Sequence, residues 1–166
     1  MKKVISAAQA AALVRDGEIL SVSSASGLGC PDEVLAAIGE RFDVEGAPRN
    51  LTAPCPIAAG DMYGIRGIDH LAKQGLLARI LAGSVPSDPS SLPVPSIWQM
   101  VMDNQVEAYN IPSGILFDMH SGAAAPGDAR PRSQNDQHAD GWGLKCEQLL
   151  WCAVRSSRSG CWLRRS

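Results

Sequence analysis

The sequence predicts an α/β protein, with a mainly parallel sheet and flanking helices followed by an irregular tail. Three observations predict it. Strand-like and helix-like segments alternate through residues 1–127 with short connections, the pattern of a parallel sheet covered by helices. The apolar share is 45%, enough to supply a core. Near Gly127 the composition changes. Residues 1–127 carry 8 Lys and Arg against 13 Asp and Glu, whereas residues 128–166 carry 7 against 4, so a net charge of −2 combines an acidic body with a basic tail.

The elements follow from local chemistry. Residues 6–15 read as a helix, with Ser6 and Gln9 as a capping box, Ala7, Ala10, Ala11 and Val14 on one stripe, and Gly17 as the stop. Glu18 to Ser24 reads as a strand, and Ser26-Gly27-Leu28-Gly29-Cys30 as a tight turn. Pro31 then opens a helix, because it lacks the N–H that a first turn leaves unbonded, and Asp32 and Glu33 complement the positive end of the helix dipole. That helix runs to about Phe42 and buries Val34, Leu35 and Ile38. A second strand is predicted at Asn50 to Pro54, a short helix at Ile68–Gln74 and a third strand at Leu76 to Leu81, ended by Gly83. Pro86, Pro89, Pro93 and Pro95, with serines among them, mark an irregular excursion. Trp98 to Asp103 reads as helix, Val106 to Tyr109 as a fourth strand, and Pro112 opens a helix to about Ala124.

The tail has one Val and no Ile, Phe or Tyr, yet it holds three of the four tryptophans and three of the five cysteines. Leu144 to Val154 is its one segment with helical character. Residues 128–166 therefore read as an atypical, poorly ordered or frame-shifted extension of the 1–127 domain. Translating the other two frames past codon 127 tests the frame shift.

Composition also bounds function. The near-neutral charge gives no reason to expect nucleic acid or an anionic membrane as partner. No stretch is long and apolar enough to span a bilayer. Met1-Lys2-Lys3 followed by Val4-Ile5 resembles the start of a signal peptide, but Gln9, Arg15 and Asp16 interrupt it, and the expected compartment is the cytoplasm. The cysteines show no C-x-x-C spacing, so no metal site is expected. Cys30 and Cys55 read as small core residues.

Three constellations could carry chemistry. The Gly27-Leu28-Gly29 turn lies between a strand and a helix N-terminus, where backbone N–H groups can hold an anion or oxyanion, although a plain tight turn explains the glycines too. The segment Ala108-Tyr109-Asn110-Ile111-Pro112-Ser113-Gly114 runs from a strand end into a helix start, where open α/β sheets place ligands. Ser113 lacks the G-x-S-x-G context of a serine nucleophile. Asp61, Arg66 and His70 either converge on a site or organise a long loop by ion pairing.

Five blocks recur in a recognisable order: Ser6–Leu13, Gly27-Leu28-Gly29-Cys30-Pro31, Asn50-Leu51-Thr52, the run from Gly60-Asp61 through Arg66-Gly67-Ile68-Asp69-His70-Leu71-Ala72 to Gly75-Leu76, and Glu107–Gly114. Together they resemble the start of the α part of the family I coenzyme A transferases, of the acetate/propionate and 3-oxoacid types that serve short-chain acid and ketone-body metabolism. The resemblance implies a CoA-transferase α-domain-like fold whose sheet is incomplete. It also implies transfer of CoA between an acyl-CoA and a carboxylate by ping-pong chemistry, in which a glutamate attacks the thioester beside backbone N–H donors.

It implies a coenzyme A thioester as substrate, no bound cofactor, and a site bordered by Gly27, Leu28, Gly29, Asn110, Ser113 and Gly114. Ser113 stands where the family often has glutamine. The family's glutamate belongs to its later, β part, so no catalytic residue is carried over, and whether the chain is an enzyme on its own stays open. The expectations are a truncated member inactive alone, an α-type subunit that needs a β-type chain or a homo-oligomer, or a non-catalytic anion-, CoA- or protein-binding module.

Overall fold

The computed structural model describes residues 4–61, 63–86, 94–124, 149–154 and 161–165. In chain order the elements are α1 (Ala7–Ala11), β1 (Ile19–Val22), α2 (Asp32–Glu45), β2 (Leu51–Cys55), a 3-10 helix (Gly67–Leu71), β3 (Leu77–Ala82), α3 (Ser96–Met102), β4 (Glu107–Asn110), α4 (Ser113–Ala124), β5 (Leu149–Val154) and β6 (Cys161–Arg165). The strands form one sheet in the order β4-β3-β2-β1-β5-β6. The four strands of the body are all parallel, as the alternation of strands and helices predicts.

Two expectations are corrected. Leu149–Val154 is a strand paired in parallel with β1, in the segment read as helical. Its run of consecutive apolar residues has no 3.6-residue period to distinguish the two states, and the edge of β1 satisfies its backbone groups. β6 pairs antiparallel with β5, so these two segments add to the sheet. The remainder of 128–166, the residues around Gly127 and Cys146 all lie outside the described residues. The second correction is α1, which ends at Ala11 instead of Arg15. Arg41 of α2 donates to the carbonyls of Ala11 (2.9 Å) and Val14 (2.8 Å), so the chain leaves the helix with its last acceptors satisfied from outside.

Strand alternation splits the core between two faces. Leu20 and Val22 of β1, Leu51, Ala53 and Cys55 of β2, and Ile80 and Ala82 of β3 join one cluster with Ala10, Val34, Leu35, Ile38, Ile68, Leu71, Ile97 and Met100. This is the face covered by α1, α2, the 3-10 helix and α3. On the other face Leu81 packs with Ile111 and with Leu116 and Met119 of α4. Each fully buried Leu or Ile contributes about 1.5–3 kcal/mol by leaving water, so the sandwich rather than any one cap holds the strands in register.

Local chemistry explains the ends. The predicted capping box is formed, with Ser6 N–H donating to Gln9 Oε1 (3.1 Å) and Gln9 N–H to Ser6 Oγ (3.2 Å). α2 stops at Gly46, whose φ of +68° continues the chain in the left-handed region while its N–H returns to the Phe42 carbonyl. Pro95 at the start of α3 offers no side-chain acceptor. Asp69, almost wholly buried, accepts from Ile97 N–H (2.9 Å) in its place and pairs with Arg66 (3.0 Å).

Candidate functional site

A parallel sheet gathers the loops that follow its strands on one side, and both predicted turns lie there. The Gly27-Leu28-Gly29 turn follows β1, and Pro112-Ser113-Gly114 follows β4. β2 and β3 lie between them, so three strand spacings, about 14 Å, separate the two.

Four loops along this rim are tied together. Ser24 Oγ donates to the Ala58 carbonyl (3.4 Å), and Ala58 N–H donates to Ser84 Oγ (3.1 Å). Gly83 N–H reaches the Cys55 carbonyl (3.1 Å), and Ile111 N–H reaches the Ala82 carbonyl (3.0 Å). Gly83 is required where it stands. A Cβ there would collide with the Pro56 carbonyl and with Ser113 Oγ. Ser113 therefore lies against the end of β3 as the first residue of α4, with Asn110 closing β4.

The glycine turn is built by its own backbone. Ala25 and Leu28 exchange both of their N–H to carbonyl bonds at 3.0 Å, with Ser26 at a φ of +56°. Ser26 also pairs with the segment after β2, its carbonyl accepting from Gly60 N–H (3.1 Å). Among the described residues the N–H groups of Gly27 and Gly29 have no hydrogen-bond partner. Leu28 between them is 79% exposed.

Sequence reasoning left open whether Asp61, Arg66 and His70 converge. They do not. Asp61 Oδ1 accepts from Tyr63 N–H (2.9 Å) and Ile65 N–H (3.1 Å), and these backbone donors, Tyr63 first, hold its carboxyl below the usual range. Its other oxygen, Oδ2, fills the space that a Cβ on Gly27 would take. Arg66 pairs with Asp69. His70 Nε2 lies 3.2 Å from Asp32 Oδ1, which also accepts from Gly67 N–H (2.6 Å). The three side chains organise the loop from separate anchors.

The cysteines near this rim are not reactive thiols. Burial, helped by the charges of Asp32 and Asp61, pushes Cys30 up to about 12. Burial, with Cys30 as a second contributor, does the same to Cys55. Among the described residues no cluster of three His, Cys, Asp or Glu could hold a metal ion, and no helix is long and apolar enough to cross a membrane.

One polar pair escaped the sequence. Ser21 of β1 and His120 of α4, both buried, share a hydrogen bond of 3.0 Å beneath the rim. Burial pushes the imidazole down to about 4, so it is neutral at pH 7. Nothing local marks a pair 99 residues apart. A groove of about 620 Å³ lies at the opposite, amino end of the strands, lined by Asn50, Gly75, Asn104, Gln105, Glu107 and Tyr109. It holds none of the predicted turns.

No family model matches the chain. Caffeate CoA-transferase of Acetobacterium woodii is 30% identical over 125 residues, which is 75% of this chain and 22% of that protein. Acetate CoA-transferase YdiF of Escherichia coli K12 is 31% identical over 123 residues, 74% of this chain and 22% of that one. The chain thus spans about a fifth of the length of the curated relatives it matches. The crystal structure of the acyl-CoA transferase YdiF from E. coli O157:H7, as a thioester complex with CoA, superposes with a TM-score of 0.60 at 26% identity over 97% of this chain and 34% of that one. The decarboxylase AibA/AibB, at 14% identity and a TM-score of 0.52, shares the fold.

Proposed function

From the chain's relation to the family I coenzyme A transferases, we propose that it forms one wall of a CoA-transferase site and holds a coenzyme A thioester at the rim carrying Gly27–Gly29 and Ser113. The observation that carries this reading is the pair of unbonded N–H groups at Gly27 and Gly29. A thioester carbonyl attacked by a carboxylate develops negative charge on oxygen, and pre-set N–H donors stabilise that charge without reorganising. Leu28, Asn110 and Gly114 complete the border of the site. Ser113 offers a hydroxyl where the family often offers an amide, a shorter reach to the same ligand.

The attacking carboxylate comes from elsewhere. Asp61 is the carboxylate beside the glycine turn, but its charge is already stabilised by backbone N–H groups, which weakens it as a nucleophile. The resemblance assigns the nucleophile to a glutamate in a β-type partner region. The chain alone therefore binds acyl-CoA without turning it over.

The experiment incubates the purified chain with acetyl-CoA and isotopically labelled acetate, with and without a β-type chain. Binding without label exchange is expected for the chain alone, and exchange when the β-type chain is added. A covalent CoA adduct formed by the chain alone would overturn its inactivity. Failure to bind any CoA thioester would overturn the reading as a whole.

A further inference from the structure

Two large apolar side chains stand exposed on the rim, Leu28 at 79% and Tyr63 at 76%. The fold spends structure on holding them there. Leu28 is fixed by both of its backbone bonds to Ala25, and Tyr63 N–H is fixed by Asp61 Oδ1. The two loops are also joined to each other, through Gly60 N–H on the Ser26 carbonyl and through the Asp61 carboxylate packed against Gly27. One carboxylate thus anchors Tyr63 with one oxygen and touches the glycine turn with the other.

An exposed aromatic ring is held here on a tied loop. Beside polar N–H donors it forms the combination that ligand sites use, an apolar surface with a few placed polar groups.

We propose that Leu28 and Tyr63 form an apolar lip that contacts the acyl group of the bound thioester, selecting bulky or aromatic acyl groups over acetyl. The inference rests on the reading above, and it adds the class of acyl group. With the thioester oxygen at the glycine turn, the acyl carbon chain extends from the same atoms that Leu28 flanks. A benzoyl-sized ring gains dispersion and ring contacts with Tyr63 that a methyl group cannot make. Contacts of this kind discriminate by about tenfold.

The test is a calorimetric titration of the full chain with CoA, acetyl-CoA and benzoyl-CoA. Tyr63→Ala should weaken benzoyl-CoA binding about tenfold while leaving CoA and acetyl-CoA essentially unchanged, Leu28→Ala should weaken benzoyl-CoA binding by a similar factor, and Tyr63→Phe should retain the preference. Benzoyl-CoA binding that survives both alanine variants overturns the lip and leaves the thioester reading standing. A wild-type chain that binds none of the three overturns both.

Magnetisation transfer supplies a readout that does not depend on a truncated variant. In a Tyr109→Phe chain Tyr63 is the sole tyrosine of the two in the sequence. Selective saturation of its ring should reach the benzoyl protons, and no transfer to bound benzoyl-CoA overturns the lip.

Discussion

Asp61 and Gly27 share one small volume: Oδ2 of the carboxylate occupies the space that any side chain at position 27 would need. The contact explains the first glycine of the turn without any demand for left-handed geometry, since the strained φ belongs to its neighbour Ser26. Gly29, at a φ of +69° and with open space where a Cβ would go, is required for the opposite reason.

Gly27→Ala should therefore destabilise the chain by about 1–3 kcal/mol, the usual cost of forcing atoms into filled space. Denaturant midpoints measure it. The loss should shrink in an Asp61→Ala background, because the second substitution empties the contested volume. Equal losses in both backgrounds would refute the contact.

The Ser21–His120 pair makes stability depend on pH. The folded imidazole titrates near 4, and the unfolded one near 6.5. Between those values the unfolded chain binds more protons, so unfolding becomes easier as pH falls from 6.5 toward 4 and levels off below. The full span corresponds to roughly 3 kcal/mol. His120→Gln should flatten this part of the stability profile, measured by urea denaturation at half-unit steps. An unchanged slope would assign the effect to other groups.

Asp69 caps a helix it does not belong to. Asp69→Ala should cost about 1–2 kcal/mol, since Ile97 N–H and Arg66 lose their acceptor together. Asp69→Asn keeps an oxygen for Ile97 and should lose less. Hydrogen exchange at the Ile97 amide distinguishes a lost cap from general loosening.

Much of the body was legible because its signals are local. The capping box at Ser6 and Gln9, the Pro31-Asp32-Glu33 helix start and the alternation of strands and helices in the body all follow from residues within a few positions of one another. The pattern also placed both turns at the carboxyl side of the sheet. What escaped was set by partners far away in sequence. The Asp61 contact with Gly27, the capping of α3 by Asp69 and the bond between Ser21 and His120 each join separate elements across the fold. The early end of α1 belongs to the same class, since Arg41 of another helix closes it. Leu149–Val154 was misread because six mostly apolar residues carry no period, and only the neighbouring edge of β1 decides their state.

The hydroxyl tethers of Ser24 and Ser84 to the Ala58 backbone also bear on how this rim can be redesigned. Three loops joined through one residue cannot be lengthened or shortened singly, because an insertion in any of them shifts the other two. Libraries aimed at a new acyl preference should therefore keep loop lengths fixed and vary side chains at the outer positions. There, diversity costs the scaffold least.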